Sequence, residues 1–449
     1  MTTTSLDSRT LPAYASYASL AAHFRPLFKQ IAAGSAERET DRTLLHEQVR
    51  LLADAGFGAL RVPRQYGGAG VSAPHFFRLL IELAAAESNL AQALRSHIAF
   101  VEDRLYADDG EWLSRVAAGA LLGNAWTETG PVAVGGVSTT IERDGDAYRV
   151  NGTKYYTTGS LYADWIQTGT RTPDGVDVIA LVRRDAPGVE IIDDWDGFGQ
   201  RLTASGTTVF TDVRVPLTDV LVETEHAPYN TGVYQLIHVA TLAGIAKAAV
   251  RDVAAEVRGR TRTFSHGSQV RPSEDIQIQQ IVGEVSALAF TAEAAALQVA
   301  EQLQEAFEAH EDLINCAADG ADGTARVAGD VEAGHAAGRA ALDAIGGLDP
   351  DHAGARTSAD RAALDVEFGS SQAQIVVTEL VQRACTTIFD ALGASSTRRG
   401  LQLDRHWRNA RVISSHNPVV YKSRVVGDWE INGTVPDFVW RAGTAKPSE

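Results

Sequence analysis

The chain has 449 residues, enough for two or three domains or subdomains around a sizeable core. Its hydrophobic share of 45% and charged share of 22% are typical of a globular protein and exclude a disordered one. The formal net charge of −17 argues against nucleic acid or an anionic membrane as the main partner, because both require a basic face.

Cysteine usage and the N-terminal sequence predict a cytoplasmic location. Cys316 and Cys385 lack CxxC spacing, which indicates thiols in a reducing compartment. Residues 1–20 contain no basic region followed by an apolar run, so they do not resemble a secretory signal. No apolar run approaches the length of a membrane span.

The N-terminal part, residues 1–122, is predicted to be a helical domain because its apolar residues recur at helical spacing. Ser72 and Pro74 are suited to the cap and first turn of a helix that we expect to end at His97.

The middle part, residues 123–228, changes to short alternating segments separated by turn signals. One of these signals is Asn151-Gly152, which predicts a hairpin turn. This region is expected to form a small antiparallel, barrel-like β domain.

The C-terminal part, residues 229–449, returns to helical periodicity and predicts a helical bundle. Its long periodic segments are residues 233–258, 275–310 and 365–392. Residues 318–360 are rich in Gly, Ala and Asp and are interpreted as an atypical, extended insertion with a short Ala-rich helix near residues 335–345. The predicted class is α+β, mostly α.

Residues 404–418 (DRHWRNARVISSHNP) resemble the C-terminal flavin-side segment of the acyl-CoA dehydrogenase superfamily, and the order of the three parts is the order of that fold. In that frame the catalytic glutamate of a dehydrogenase falls on Asn417, beside His416. A second base position known in the superfamily falls near Tyr234, where there is also no carboxylate. Abstraction of an α-proton needs a positioned base, so dehydrogenation is disfavoured.

Three further segments carry the resemblance. Residues 123–128 (GNAWTE) and 151–160 (NGTKYYTTGS) resemble superfamily segments that lie along the flavin ring. Residues 195–216 resemble the subgroup of flavin-dependent monooxygenases of sulfur compounds, the dibenzothiophene and dimethylsulfone type. Residues 390–396 retain one glycine where FAD-binding dehydrogenases carry a glycine-rich run, which favours FMN, with FAD as the alternative.

The resemblance implies a two-component monooxygenase in a homotetramer. A separate NAD(P)H:flavin reductase would supply reduced FMN, and O2 would add to the flavin C4a as a peroxide or hydroperoxide. One oxygen atom would then pass to a sulfide, sulfoxide, sulfone or sulfinate. The alternatives are an N-hydroxylase or aromatic hydroxylase on the same scaffold, an acyl-CoA dehydrogenase with a displaced base, and a structural paralogue without flavin.

The resemblance also implies roles for particular residues. The expected catalytic residues are His97, Thr158 and His416. The expected cofactor contacts are Asn124, Trp126, Thr127, Thr157, Thr158, Arg262, Phe264, Ser395, Ser396, Arg398 and Asn417. The expected substrate contacts are Phe100, Trp126 and Phe198. His238 and His406 are interpreted as structural, and no spacing predicts a metal site.

Overall fold

The computed structural model describes residues 11–129, 136–222, 226–320 and 353–438. The chain begins with helices, as predicted. They are α1 (Tyr17–Ala32), α2 (Ser35–Asp41), α3 (His46–Asp54), α4 (Ala73–Ala86), α5 (Ser88–Ala93), α6 (Arg95–Tyr106) and α7 (Gly110–Ala117). Helix α4 follows Ser72 and has Pro74 in its first turn, so this predicted start is confirmed.

The end of that helix differs from the prediction. Glu87 adopts extended backbone, ends α4 and caps α5 by accepting a hydrogen bond from the Asn89 amide. A second break at Leu94 starts α6, so His97 lies in the first turn of α6 instead of at the end of a long helix. These breaks direct α6 against the middle domain, where it contacts β1.

The middle part forms one eight-stranded sheet. Its strands are β1 (Leu122–Ala125), β2 (Thr140–Asp144), β3 (Ala147–Lys154), β4 (Trp165–Arg171), β5 (Asp177–Arg183), β6 (Val189–Ile192), β7 (Thr207–Pro216) and β8 (Val220–Val222). The strand order is β6-β7-β3-β2-β4-β5-β8, with β1 paired to β4. The pairs are antiparallel except β1–β4 and one bridge between β2 and β4.

The predicted hairpin turn at Asn151-Gly152 is wrong. Both residues lie inside β3, where the register against β7 shifts, as in a β-bulge. Gly152 has φ of 155°, and the Asn151 Oδ1 accepts a hydrogen bond from the Asp212 amide at 2.7 Å. The turn that connects β2 to β3 lies earlier in the chain, at Asp144-Gly145-Asp146, where Gly145 has φ of 63°.

The C-terminal part is a helical bundle. Its helices are α8 (Asn230–Gly259), α9 (Ile276–Gly320), α10 (Ala353–Thr387), α11 (Asp404–Ser414) and α12 (Val419–Asn432). Helix α8 packs against α4, α9 and α10, which makes it the central helix. Because α9 continues to Gly320 and α10 begins at Ala353, both flanks of the predicted extended insertion are helical. The Ala-rich helix predicted near residues 335–345 lies outside the described residues.

In the part of the chain that the structure describes, two helices are long and apolar enough to cross a membrane by length and composition, which corrects the expectation that no apolar run approaches that length. In Asn230–Gly259 the most apolar window is 83% buried, as in the core helix of a globular protein. In Ile276–Ile314 that window is 28% buried, so this helix presents apolar side chains at the surface of the chain. The α+β, mostly α fold class is confirmed, whereas domain boundaries at 122/123 and 228/229 stay predictions.

Candidate functional site

The two segments expected along the cofactor lie side by side. The Ser160 hydroxyl donates to the Asn124 carbonyl at 2.9 Å, and the Tyr155 amide donates to the Thr127 carbonyl at 2.8 Å. Thr127 itself is exposed. Strand β1 and the turn after β3 therefore form one continuous edge of the sheet domain.

Thr158 ends a chain of hydroxyl groups that runs through Ser205 to Thr203. We assign its direction from the shorter of the two carbonyl contacts at its ends, which is 2.9 Å from Thr203 to Gln200 against 3.4 Å from Thr158 to Tyr156. The Thr203 hydroxyl donates to the Gln200 carbonyl at 2.9 Å, so its oxygen accepts from Ser205 at 2.8 Å. Ser205 has then used its only proton, and the Thr158 hydroxyl donates to Ser205 at 2.8 Å. The Thr158 oxygen consequently keeps lone pairs for a donor from outside this chain of hydroxyls.

The neighbouring candidates point elsewhere. The Thr157 hydroxyl, fully buried, donates to the Gly206 carbonyl at 3.0 Å and contacts the Thr208 hydroxyl at 2.8 Å. Trp126 is half-buried and its ring lies over Gly169 of β4. Thr157 is therefore satisfied inside the sheet domain.

A second group of residues forms around His416, in the loop between α11 and α12. We define the imidazole–guanidinium cluster as Arg95 of α6, Tyr234 and His238 of α8, and His416. The rings of His238 and His416 are 4.6 Å apart, and the Arg95 Nη1 lies 3.4 Å from the His238 Nε2. The Arg95 guanidinium also lies over the Tyr234 ring, 5.2 Å from its centre.

The two positions where the resemblance leads us to expect the base of a dehydrogenase are Asn417 and Tyr234. Asn417 directly follows His416, and the Arg95 guanidinium lies over the Tyr234 ring. Among the described residues, no carboxylate forms an ion pair with Arg95 or approaches His416 closely enough to affect its pKa. The groups available here are imidazole, amide, phenol and guanidinium.

Desolvation and the neighbouring guanidinium favour the neutral form of the imidazoles in the cluster. His416 is exposed in this chain, and the protein around it and the nearby Arg95 both lower its pKa. Burial lowers the pKa of His238 well below its ordinary value, with contributions from His416 and Arg95. A neutral imidazole carries one N–H donor and one nitrogen acceptor, so each ring can hold one proton in place.

His97 is placed differently from its expected partner His416. It is buried, its Nε2 donates to the Gly58 carbonyl at 2.9 Å, and its Nδ1 accepts from the Leu122 amide at 3.4 Å. Burial lowers the pKa of His97 to about 4, consistent with this neutral, doubly bonded ring. The ring joins α6 to β1 and leaves neither nitrogen free.

The expected substrate contacts separate in the structure. Phe100 is 1% exposed and its ring packs edge-on against Trp112 at 5.5 Å, so it belongs to the apolar core, which corrects the expectation that it lines the substrate space. Phe198 is 54% exposed and its ring stacks on Trp407 of α11 at 6.0 Å. The Phe198 loop therefore lies beside the helix that leads to His416.

The residues expected around the phosphate come together at one edge of the bundle. The tip of Phe264 lies over Gly393, and Arg260 donates to the Leu392 carbonyl. Two serines follow Gly393 in the same turn. The Ser395 hydroxyl donates to the Leu392 carbonyl, and the Ser396 hydroxyl donates to the Gly393 carbonyl.

The two arginines expected near the phosphate are exposed at this edge. Arg262 lies in the loop that packs Phe264 over Gly393, and Arg398 follows the two serines. This edge thus combines exposed guanidinium groups, serine oxygens that can still accept, and an exposed aromatic ring.

The sequence-based assignment gives no functional role to Arg95, His238 or Ser205; His238, which was interpreted as structural, contacts the ring of His416. A signal for His238 existed, because it follows Tyr234 by four residues and so lies on the same face of α8. Arg95 had no such signal, since its contact with His238 spans 143 residues. His406 was interpreted correctly: it bonds to Asp252 at 2.9 Å.

Several buried polar atoms without a hydrogen-bond partner lie on the elements that carry the hydroxyl chain and the imidazole–guanidinium cluster, or on elements next to them. They include Gln92 Oε1, Arg95 Nε, Ser96 Oγ, Asn124 Oδ1, Gln167 Oε1, Gln235 Oε1 and His238 Nδ1. They come from α5, α6, β1, β4 and α8, and α6 contacts both β1 and α8. Such atoms are costly unless a ligand or water bonds to them, so they fit a polar ligand between the sheet domain and the bundle. Among the described residues, no group of His, Cys, Asp or Glu could hold a metal ion.

A helical domain, a β domain and a helical bundle, with a polar site where they meet, define an acyl-CoA dehydrogenase-type fold. The chain belongs to the acyl-CoA dehydrogenase family: the sequence models of the N-terminal, middle and C-terminal domains match residues 20–119, 124–213 and 324–421.

Three relatives specify this similarity further. A dibenzothiophene monooxygenase of Rhodococcus qingshengii is 26% identical over 412 residues, covering 85% of this chain and 86% of the relative. A probable FMNH2-dependent monooxygenase, SfnC of Pseudomonas putida, is 25% identical over 422 residues, covering 92% and 94%. The structure of TdsC from Paenibacillus sp. A11-2 with FMN and indole superimposes with a TM-score of 0.75 at 26% identity, covering 94% and 98%.

Proposed function

We propose that this protein is a monooxygenase that uses reduced FMN and O2 to oxygenate a small organic sulfur compound. One oxygen atom enters the substrate, and the other leaves as water with the two electrons and two protons of reduced FMN. The observation that carries the proposal is the imidazole–guanidinium cluster, which includes Tyr234 and adjoins Asn417, the two positions where the resemblance would place the carboxylate of a dehydrogenase. The relatives named for monooxygenases support it over most of the chain.

A dehydrogenase reaction lacks its base in this site. Removal of an α-proton needs a group that accepts a proton near neutral pH. The pKa values of His416 and His238 are both lowered, by desolvation and by Arg95, which makes each ring a weaker base than a free imidazole. Neutral imidazoles suit the opposite task, which is to donate a hydrogen bond to oxygen without transferring a full charge.

The residues present fit FMN along the edge formed by β1 and the turn after β3. The buried Asn124 Oδ1 has no partner, and the Thr158 oxygen keeps a free acceptor, which matches the N–H groups of a reduced flavin ring. Reduced FMN, when bound, supplies the electrons that activate O2. We assign His416 and Thr158 to contact the reacting atoms, while His97 positions α6 against β1.

The phosphate is assigned to Ser395, Ser396 and Arg398. Arg262 and Phe264 are assigned to the flavin of a neighbouring subunit, because their loop is exposed and packs on the same edge. Arginine is suited to phosphate because its planar fork makes two charge-assisted hydrogen bonds. The turn around Gly393 has hydroxyl groups where FAD binding would need a run of glycines.

We further propose a homotetramer in the cytoplasm, supplied by a separate NAD(P)H:flavin reductase. Large apolar side chains are exposed on the bundle, among them Phe264 at 60%, Ile276 at 64% and Phe290 at 74%. Exposed apolar surface of this kind favours association with further copies of the chain.

The test supplies reduced FMN from a flavin reductase under 18O2 and offers a panel of sulfides, sulfoxides, sulfones and sulfinates, with amines and indole as competing classes. We expect one heavy oxygen atom in a sulfur product, measured by mass spectrometry. In parallel, acyl-CoA substrates and an electron-accepting dye are added without O2. Reduction of the dye would establish the dehydrogenase alternative, and labelled product from amines alone would establish N-hydroxylation.

A further inference from the structure

Arg95 is a buried cation for which the described residues supply no anionic partner. It is 5% exposed, and within the described ranges it has one hydrogen bond, from Nη1 to the His238 Nε2, while its Nε has no partner there. In the described part of the chain the other buried arginines of the N-terminal domain do pair with acids, as Arg61 does with Glu102 at 2.7 Å. A buried, uncompensated guanidinium costs several kcal/mol, so it is retained where a ligand supplies the missing charge.

Proton accounting identifies a second free donor beside it. A guanidinium only donates, so the His238 Nε2 that faces Arg95 is the acceptor nitrogen. The proton of the neutral ring is then on Nδ1, which is buried and has no partner. The N–H groups of Arg95 Nε and His238 Nδ1 therefore both lack an acceptor at the junction of α6 and α8.

The acids near this junction are already engaged. Glu102 lies seven residues after Arg95 in α6 and pairs with Arg61. Asp103 lies eight residues after Arg95, about 12 Å along a helix axis. Its carboxylate accepts from the His226 ring at 2.6 Å, the Ala227 amide at 3.1 Å and the Asn230 side chain at 2.7 Å. Tyr234 offers its ring face, which stabilises a cation but supplies no full negative charge.

The cluster extends from the interior to the surface of the chain. His416 is exposed, and its ring lies 4.6 Å from the buried ring of His238, which contacts Arg95. A ligand bound to the Arg95 and His238 donors would therefore be held next to the residue that we assign to the reacting oxygen.

We propose that Arg95 and His238 bind an oxyanion of the substrate, which selects organic sulfinates over neutral sulfides, sulfoxides and sulfones. This inference rests on the proposed function and names its substrate class. The balanced reaction is RSO2⁻ + O2 + FMNH2 → RSO3⁻ + FMN + H2O. Sulfur loses two electrons and gains one oxygen atom, reduced FMN loses two electrons, and O2 takes up all four.

The test measures binding without turnover. The full-length protein with oxidised FMN is titrated by calorimetry with benzenesulfinate and with methyl phenyl sulfoxide, which are similar in size but differ in charge. We expect benzenesulfinate to bind at least about 10-fold more tightly, and Arg95→Gln to weaken it by about 10- to 100-fold, the range of one to two charge-assisted hydrogen bonds. Sulfoxide binding should change by less than about 3-fold.

Two further variants and one cofactor measurement complete the design. Arg95→Lys keeps the charge but loses the Nε donor, so its sulfinate affinity should be intermediate. Arg50→Gln removes one positive charge from the exposed face of α3 and should leave both affinities unchanged. If Arg95→Gln weakens the binding of reduced FMN and leaves the preference for sulfinate intact, the guanidinium binds the flavin and the proposal is overturned.

The two proposals fail separately. Sulfinate binding that depends on Arg95, with no 18O entering any sulfur compound, would overturn the monooxygenase assignment and leave the anion site standing. Oxygenation of neutral sulfides at rates insensitive to Arg95→Gln, with no preference for the sulfinate, would overturn the anion site and leave the monooxygenase standing.

Discussion

Thr157 and Thr158 are adjacent threonines with opposite hydrogen-bond situations, so they form a matched pair. Valine has nearly the same shape and lacks only the hydroxyl. Thr158→Val removes the free acceptor at the end of the hydroxyl chain, while Thr157→Val removes a hydroxyl that is satisfied by Gly206 and Thr208. The first substitution should affect the reaction and the second the stability of the sheet domain.

The magnitudes follow from the hydrogen bonds lost. A hydrogen bond to a charged or strongly polar group is worth about 1.5–3 kcal/mol, so Thr158→Val should lower the rate of product formation roughly 10- to 100-fold. Thr157→Val leaves buried acceptors with fewer partners, which costs about 1–3 kcal/mol of stability. Its rate per folded molecule should stay within about 3-fold of wild type.

The assay measures labelled product and hydrogen peroxide per reduced FMN consumed, together with thermal unfolding of each variant. Thr158→Val should divert reduced FMN to hydrogen peroxide, because the flavin is held less well when O2 reacts. The reasoning is refuted if Thr158→Val retains the wild-type ratio of product to peroxide, or if Thr157→Val loses product to the same extent without a change in unfolding temperature.

The remaining predictions concern a residue that contacts Thr158, the acid stability of the fold and the assembly of the chain. Ser205→Ala should cost about 3- to 10-fold in product rate, less than Thr158→Val, because the Thr158 hydroxyl survives; an effect equal to Thr158→Val would contradict the direction of the hydroxyl chain. His97 has a folded pKa of about 4 against about 6.5 when unfolded, so its contribution to stability is present above pH 6.5 and is lost as the pH falls towards 4. Its replacement by Gln should therefore make unfolding less sensitive to acid, by at most about 1.4 kcal/mol per pH unit, as measured by thermal unfolding between pH 7 and 5; an unchanged slope would contradict the buried, neutral ring. Phe290→Asp should reduce the assembly size seen by light scattering, whereas Val176→Asp, on an exposed turn of the sheet domain, should not.

The overall fold was predictable because it depends on periodicity. Long helices and short alternating strands leave their period in the sequence, and the segments around α8, α9 and α10 were found in this way. Local geometry was less predictable. From the sequence alone Asn151-Gly152 predicts a turn. Only the pairing of β3 with β7 shows that these residues lie at a β-bulge inside a strand.

Some residues of the candidate site were predictable from the sequence and others were not. His416 and Thr158 were reached through resemblance to family segments. Arg95 and His238 come from helices far apart in the chain, and their meaning depends on which nitrogen faces which. Sequence spacing carries no information on that point.

Gly58 and His97 are 39 residues apart in the chain but in contact in the fold, so the residue type at one position limits the residue types tolerated at the other. A Cβ atom at Gly58 would lie 2.6 Å from the His97 Nε2, so no larger residue fits while the imidazole stays in place. Variation at these two positions should therefore be introduced jointly, and homologues that differ at one are expected to differ at the other.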